Sequence, residues 1–194
     1  MAWQISEQSR EEARKVGIIG ARALPEEGKP KVKEIVRYLV QKEYQIHTGG
    51  ALGADVYALE ALIFLGAIKN GLLFSPWSSI QGFPREVQKH VDYYVSHLGK
   101  VFWGLVPPHS SRSVAIAGLL SRNQRLVNAS SGIVAFLYGE SKGTKNTIRK
   151  AIARGLKVVV FLCGGEAVLP ELSTGRWVAL RCIAPWEGAY MFKQ

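Results

Sequence analysis

Two hydrophobic rhythms alternate along the chain. Short runs apolar at nearly every position occupy Val16 to Gly20 (VGIIG), Asn70 to Ser75 (NGLLFS), Gly132 to Tyr138 (GIVAFLY) and Lys157 to Cys163 (KVVVFLC). Such runs fit strands buried between two layers. Tyr44 to Thr48 alternates β-prone residues and predicts a further strand, and Val101 to Val106 predicts a short aromatic one. Between the runs, apolar residues return at helical spacing. Val32, Ile35, Val36, Leu39 and Val40 form one stripe, with Lys31, Lys33, Glu34 and Arg37 on its other side. Val56, Leu59, Leu62 and Ile63 form a second stripe that ends at Leu65 and Gly66, and Val87, Val91, Tyr94, Val95 and Leu98 a third. Pro84 is placed to open that third helix and Gly99 to cap it. Ile116, Leu119, Leu120, Leu126 and Val127 mark a helix over Val114 to Val127, and Ile148, Ala151 and Ile152 one over Lys145 to Arg154, closed by Gly155. Residues 1–14 read as a polar lead-in with room for a short helix, and Trp177 to Ile183 as one edge strand. Fully apolar strands alternating with helices predict an α/β domain whose parallel sheet is covered on both faces. Residues 1–165 form that domain, and residues 166–194 an extension packed on it.

In such a sheet, ligands bind outside the carboxyl ends of the strands. Three loops fall there: Gly20 to Arg22, Thr48 to Asp55 and Gly139 to Thr144. The second, within YQIHTGGALGAD, reads strand, glycine turn, helix. Gly49, Gly50 and Gly53 let backbone approach a guest, and the helix that follows offers unpaired N–H groups to an anion. The spacing is not G-x-G-x-x-G, and a plain tight turn with Asp55 as N-cap explains the same residues. The loop Ser141-Lys142-Gly143-Thr144 also precedes a helix, with Thr144 as its expected cap; its order is not that of a Walker A loop. In SRNQR, Asn123 falls on the apolar stripe and needs a hydrogen-bonding partner, while Arg122 and Arg125, one turn apart, are placed to flank one anion.

Composition narrows the chemistry. There are 25 Lys and Arg against 15 Asp and Glu, a net charge of +10, which suits a polyanionic partner. Cys163 and Cys182 lack metal-ligand spacing and form no disulfide framework. His47, His90, His97 and His109 are scattered, so neither a metal nor another cofactor is expected. Near the loops the carboxylates are Asp55, Glu60 and Glu140, a thin set for glycosidic hydrolysis. Ala58 to Ile68 contains Glu60 and is too short to cross a bilayer. No secretory h-region opens the chain, so a reducing cytoplasmic setting without membrane contact is expected.

Four segments in order, GIIGARA, HTGGALGADVYALEAL, SRNQRLVNASSGIVAF and SKGTKNTIRKAIARGLKVVVF, resemble the DNA-processing protein A (DprA/Smf) family over roughly Val16 to Cys163. The resemblance implies a Rossmann-like three-layer fold, a mostly parallel sheet with helices on both faces. It implies an anion pocket built from Gly20, Arg22, Thr48, Gly49, Gly50, Gly53, Asp55, Arg122, Asn123, Arg125, Ser141, Lys142, Gly143 and Thr144. It further implies binding of single-stranded DNA or a nucleotide phosphate in DNA uptake and recombination, and a homodimer. The wider superfamily also holds lonely-guy-type phosphoribohydrolases, so a nucleotide N-glycosidase and a small-nucleotide sensor are the alternatives. Against the glycosidase, Thr147 stands where that class has a glutamate. Segment 73–114 departs from the DprA pattern, and the family's N-terminal helical and C-terminal winged-helix domains are not recognised, so recombinase loading is not carried over.

Overall fold

The computed structural model of the chain describes residues 14–181 and 184–194. Most of the polar lead-in, and Cys182 and Ile183 of the expected edge strand, lie outside the described residues. β1 (Lys15–Gly20) runs near the middle of the sheet, parallel to β2 (Gln45–Thr48) on one side and to β5 (Gly132–Leu137) on the other. Beyond β2 lie β3 (Gly71–Phe74) and β4 (Lys100–Phe102), and beyond β5 lies β6 (Lys157–Leu162), all parallel. A hairpin completes the order β4-β3-β2-β1-β5-β6-β8-β7: β8 (Ala189–Lys193) pairs antiparallel with β6, and β7 (Arg176–Ala179) antiparallel with β8. The expected edge strand over 177–183 corresponds to β7, and β8 is a further strand that was not expected. The expected strand over 101–106 shortens to β4, because the chain then leaves the ladder and Val106 makes only a bridge to Trp77.

The central strands are apolar on both sides because each feeds two cores. Ile18, Val134 and Phe136 join the core under α1 (Lys29–Gln41), α2 (Ala54–Phe64) and α3 (Arg85–Ser96). Their sequence neighbours Ile19, Ile133, Ala135 and Leu137 face the core under α4 (Arg112–Ala129) and α5 (Lys142–Ala153). That alternation is the period-two rule of a strand applied between two helical layers. The α1 stripe is buried at Val32, Ile35, Val36 and Leu39, and α3 at Val87, Val91 and Tyr94.

Two local expectations change. At the end of α3 the left-handed position is Leu98 (φ 65°) rather than a glycine, and its side chain is exposed. Gly99 follows because a Cβ there would strike Tyr94, and its N–H donates to the Tyr94 carbonyl at 2.8 Å. In α4 the buried residues are Arg122, Leu126 and Val127, whereas Ile116 and Leu120 are exposed and Asn123 is half-buried.

Candidate functional site

The strand order reverses between β1 and β5: the chain steps outward from β1 to β4, then returns to β1's other side. The carboxyl ends of neighbouring strands then diverge, opening a crevice between their loops. A cavity of about 610 Å³ lies there. It is bordered by the loop after β1, by α4, and by the loop from Tyr138 into α5.

Close backbone packing builds the first wall. The Ala21 N–H donates to the Phe136 carbonyl at 2.9 Å, and the Ala54 N–H donates to the Ala21 carbonyl at 3.5 Å. Gly20 allows this approach, since a Cβ there would lie 2.6 Å from both the Phe136 oxygen and the Ala54 methyl. Gly53 precedes α2 at φ 76°, a conformation glycine adopts freely, and a Cβ would fall on the Ala21 carbonyl. Asp55 is not the N-cap expected of it. It sits inside the first turn of α2, where its Oδ2 accepts from the Ala51 N–H at 3.3 Å and holds the glycine loop closed. Thr48 Oγ1 donates to the Asp55 carbonyl at 3.0 Å.

Arg122 reaches the same carboxylate from α4, Nη1 to Oδ2 at 3.1 Å, with Arg122 4% and Asp55 3% exposed. Burial pushes the Asp55 carboxyl upward, and the Arg122 charge, the Ala51 N–H and Arg22 pull it back. Burial likewise pushes Arg122 down against the hold of Asp55. A guanidinium keeps its proton in proteins, so Arg122 presents a fixed positive charge to the Asp55 carboxyl. Arg122 Nε is buried without a partner among the described residues, on a side chain that borders the cavity. Gly49 makes the pair possible: a Cβ there would fall on the guanidinium.

The opposite wall is the start of α5. Ser141 precedes it in the left-handed region (φ 37°), and its hydroxyl donates to the Tyr138 carbonyl. Thr144, expected as the cap, lies buried in the first turn instead. That turn holds no acidic residue, and a Cβ added at Gly143 would meet nothing within 4 Å. The unpaired N–H groups there carry the partial positive charge of a helix start. Asn123 Nδ2 donates to Thr147 Oγ1 at 3.2 Å and Thr147 donates to the Gly143 carbonyl at 3.0 Å, tying α4 to this turn. Lys142 and Glu140 form an exposed pair at 3.3 Å, worth little in stability.

Of the residues singled out in the sequence, Gly20, Arg22, Asp55, Arg122, Asn123, Ser141, Lys142, Gly143 and Thr144 line the cavity. Thr48, Gly49, Gly50, Gly53 and Arg125 do not. Gly49 and Gly50 border a neighbouring hollow of about 140 Å³ beside Trp77 and Phe83. Arg125 does not flank the anion site with Arg122. Its guanidinium donates to the Ser75 carbonyl at 2.8 Å and the Trp103 carbonyl at 3.3 Å and lies over the Phe102 ring. Glu140 and Thr147, weighed in the sequence as candidate chemistry, also line the cavity, and Leu119 and Tyr138 line it without having been singled out. Tyr138 ends an apolar run at the crevice, which is the signal that could have placed it. Glu60 is drawn elsewhere, to Lys29 at 2.7 Å and His90 at 3.2 Å. Among the described residues no cluster of His, Cys, Asp and Glu could hold a metal ion.

A doubly wound α/β sheet with a cationic, glycine-lined cavity at its switch point defines the Rossmann-like class. Within that class the chain belongs to the DNA recombination-mediator protein A family, whose sequence profile matches residues 6–175. The fold is similar to that of DNA processing protein A from Helicobacter pylori, studied for its single-stranded DNA binding mode. That likeness has a TM-score of 0.63 and 21% identity over 79% of this chain and 68% of that one. It is also similar to DNA processing protein A (DprA) from Streptococcus pneumoniae, with a TM-score of 0.60 and 19% identity, over 76% of this chain and half (50%) of that one. No curated protein sequence matches the chain.

Proposed function

We propose that the chain binds single-stranded DNA in recombination, seating a backbone phosphate in the switch-point cavity. The observation that carries this reading is the start of α5: an acid-free first turn, opened by Gly143, facing the cavity beside Lys142. Arg22, exposed at the mouth and without a carboxylate partner among the described residues, and the unpaired Nε of Arg122 supply further donors. Arginine and helix-start N–H groups suit phosphate oxygens. Membership of the family and the single-stranded DNA binding of the H. pylori relative support a polymer as the guest.

The cavity volume also suits one nucleotide, which keeps a nucleotide ligand as the runner-up. Of the two carboxylates that line the cavity, Asp55 is committed to Arg122 and Glu140 is exposed beside Lys142. Thr147 stands in the sequence where the motif of the phosphoribohydrolase class has a glutamate, and its hydroxyl is held by Asn123 and Gly143. This favours binding over cleavage of an N-glycosidic bond. Among the described residues no helix is long and apolar enough to cross a membrane, in keeping with a cytoplasmic role. β7 closes one side of the sheet, and an uncovered edge of this kind suits two-fold pairing with a second copy; light scattering at tens of micromolar tests it, a monomer opposing it. The function is tested by fluorescence anisotropy with labelled oligothymidine at two salt concentrations, competed by mononucleotides. Affinity that falls steeply with salt and resists mononucleotide competition is expected. No binding at low salt would defeat the proposal.

A further inference from the structure

The net charge is unevenly spread over the two helical layers. From residue 93 to residue 165 the chain has ten Lys and Arg and one acid, Glu140. α4 and α5, which cover one face of the sheet side by side, hold seven basic residues and no acid. The helices of the other face, α1 to α3, hold six basic residues against five acids.

On α5 the basic residues run down the helix from the cavity: Lys142, Lys145, Arg149 and Lys150, then Arg154 and Lys157 beyond its end. Arg149, Arg154 and Lys157 are exposed, and Lys142 has 88% of its side chain in solvent. Apart from the exposed Lys142–Glu140 pair, none of these cations meets a carboxylate among the described residues. One of them, Arg154, meets a neutral partner across the seam on α4. Asn128 Oδ1 accepts from Arg154 at 2.8 Å and from Gln124 at 2.9 Å. A solvated surface helix ordinarily alternates charge signs, and this one does not. Its 12 residues span about 18 Å, a length along which several successive phosphates of one strand pass.

We infer that a single strand of nucleic acid leaving the switch-point cavity continues along the exposed face of α5, and that Lys145, Arg149 and Arg154 hold its phosphates. This rests on the cavity being the phosphate seat, and it adds a track that a mononucleotide cannot use. The occupant is a polynucleotide because Lys145, Arg149 and Arg154, which meet no carboxylate among the described residues, continue a phosphate seat and complement a repeating polyanion.

The experiment compares two charge reversals of equal size in the full chain. Lys145→Glu with Arg149→Glu alters the track, and Arg37→Glu with Lys89→Glu alters exposed positions of α1 and α3. Anisotropy is read with an oligothymidine of about thirty nucleotides and one of about four. The track variant is expected to lose at least tenfold in affinity for the long strand, with a salt slope shallower by about one to one and a half, and at most twofold for the short one. The α1–α3 variant is expected to lose no more than about twofold for either. Equal losses for the two variants, or no loss for the track variant, would overturn the track while leaving the cavity reading intact. If the native chain binds neither oligonucleotide, the cavity reading fails and takes the track with it. If an acidic polypeptide displaces the long strand from the native chain but not from the track variant, the face belongs to a protein partner and the inference is wrong.

Discussion

Replacing Arg122 by methionine tests how the cavity wall is held together. The guanidinium carries no obvious surface role, because it is 4% exposed and its Nη1 lies 3.1 Å from Asp55 Oδ2. Methionine fills most of the volume but leaves Asp55 buried without its cation. Removing one member of a buried pair costs about 3–5 kcal/mol, because an uncompensated charge stays behind. For a chain of 194 residues that is a fall in melting temperature of roughly 6–20 °C. The penalty has a pH signature. Burial already pushes the Asp55 carboxyl upward, and without Arg122 its largest opposing influence is gone. A carboxyl whose folded pKa exceeds its unfolded value takes up protons on folding, so its penalty grows as pH rises from the unfolded value through the folded one. The stability difference between Arg122→Met and the native chain should therefore shrink between pH 7.5 and pH 5.5. Denaturant titrations followed by tryptophan fluorescence measure it. The double variant Asp55→Asn, Arg122→Met should recover more than half of the loss, since neutralising both partners removes the stranded charge. A loss below about 1 kcal/mol with no pH dependence would refute the buried-pair account.

Further outcomes follow from the same geometry. Gly53→Ala should destabilise by several kcal/mol, since it combines φ 76° with a clash on the Ala21 carbonyl; a thermal melt within about 1 °C of the native chain would contradict it. His47 is buried between Ser130 Oγ and the Gln45 side chain, each at 2.9 Å, and burial together with the Lys15 charge lowers its pKa to about 4. Its contribution is complete above the unfolded value near 6.5 and is lost as pH falls from there towards 4, on the order of 3 kcal/mol. The acid limb of the stability curve should flatten in His47→Gln, and an unchanged limb would count against the assignment.

The strands were legible because their signal is local. VGIIG, GIVAFLY and KVVVFLC are apolar on both faces, and they became β1, β5 and β6. The convergence of the β1 and β5 loops followed from topology once those strands were placed. The burial of Arg122 was not legible, for a long-range reason. Arg122 sits in the inward register of α4 because Asp55, 67 residues earlier, neutralises it, and no periodicity within α4 carries that fact. Ile116 and Leu120, read as apolar positions of that helix, stay exposed for the complementary reason: helical spacing shows which face is apolar, not whether another layer covers it. β8 was missed because its ladder partners are β6 and β7, one of them itself read as an edge, so the five-residue strand has no independent pattern to declare it. Thr144 was taken for the cap because it is a good capping residue, whereas Ser141 in the left-handed region starts the helix one turn earlier.

The most direct measurement is single-stranded DNA affinity of Gly143→Asp, read together with its melting temperature. The new side chain enters open space, so the fold is not strained. A carboxylate in the first turn interacts favourably with the helix start, so stability should hold or rise by about 0.3–1 kcal/mol. The same carboxylate would stand where the phosphate is seated and compete for its N–H donors. A lost charge-assisted contact is worth about 1.5–3 kcal/mol, so affinity for oligothymidine should fall roughly tenfold to hundredfold. Native affinity in a folded Gly143→Asp protein would contradict the placement of the phosphate at the start of α5.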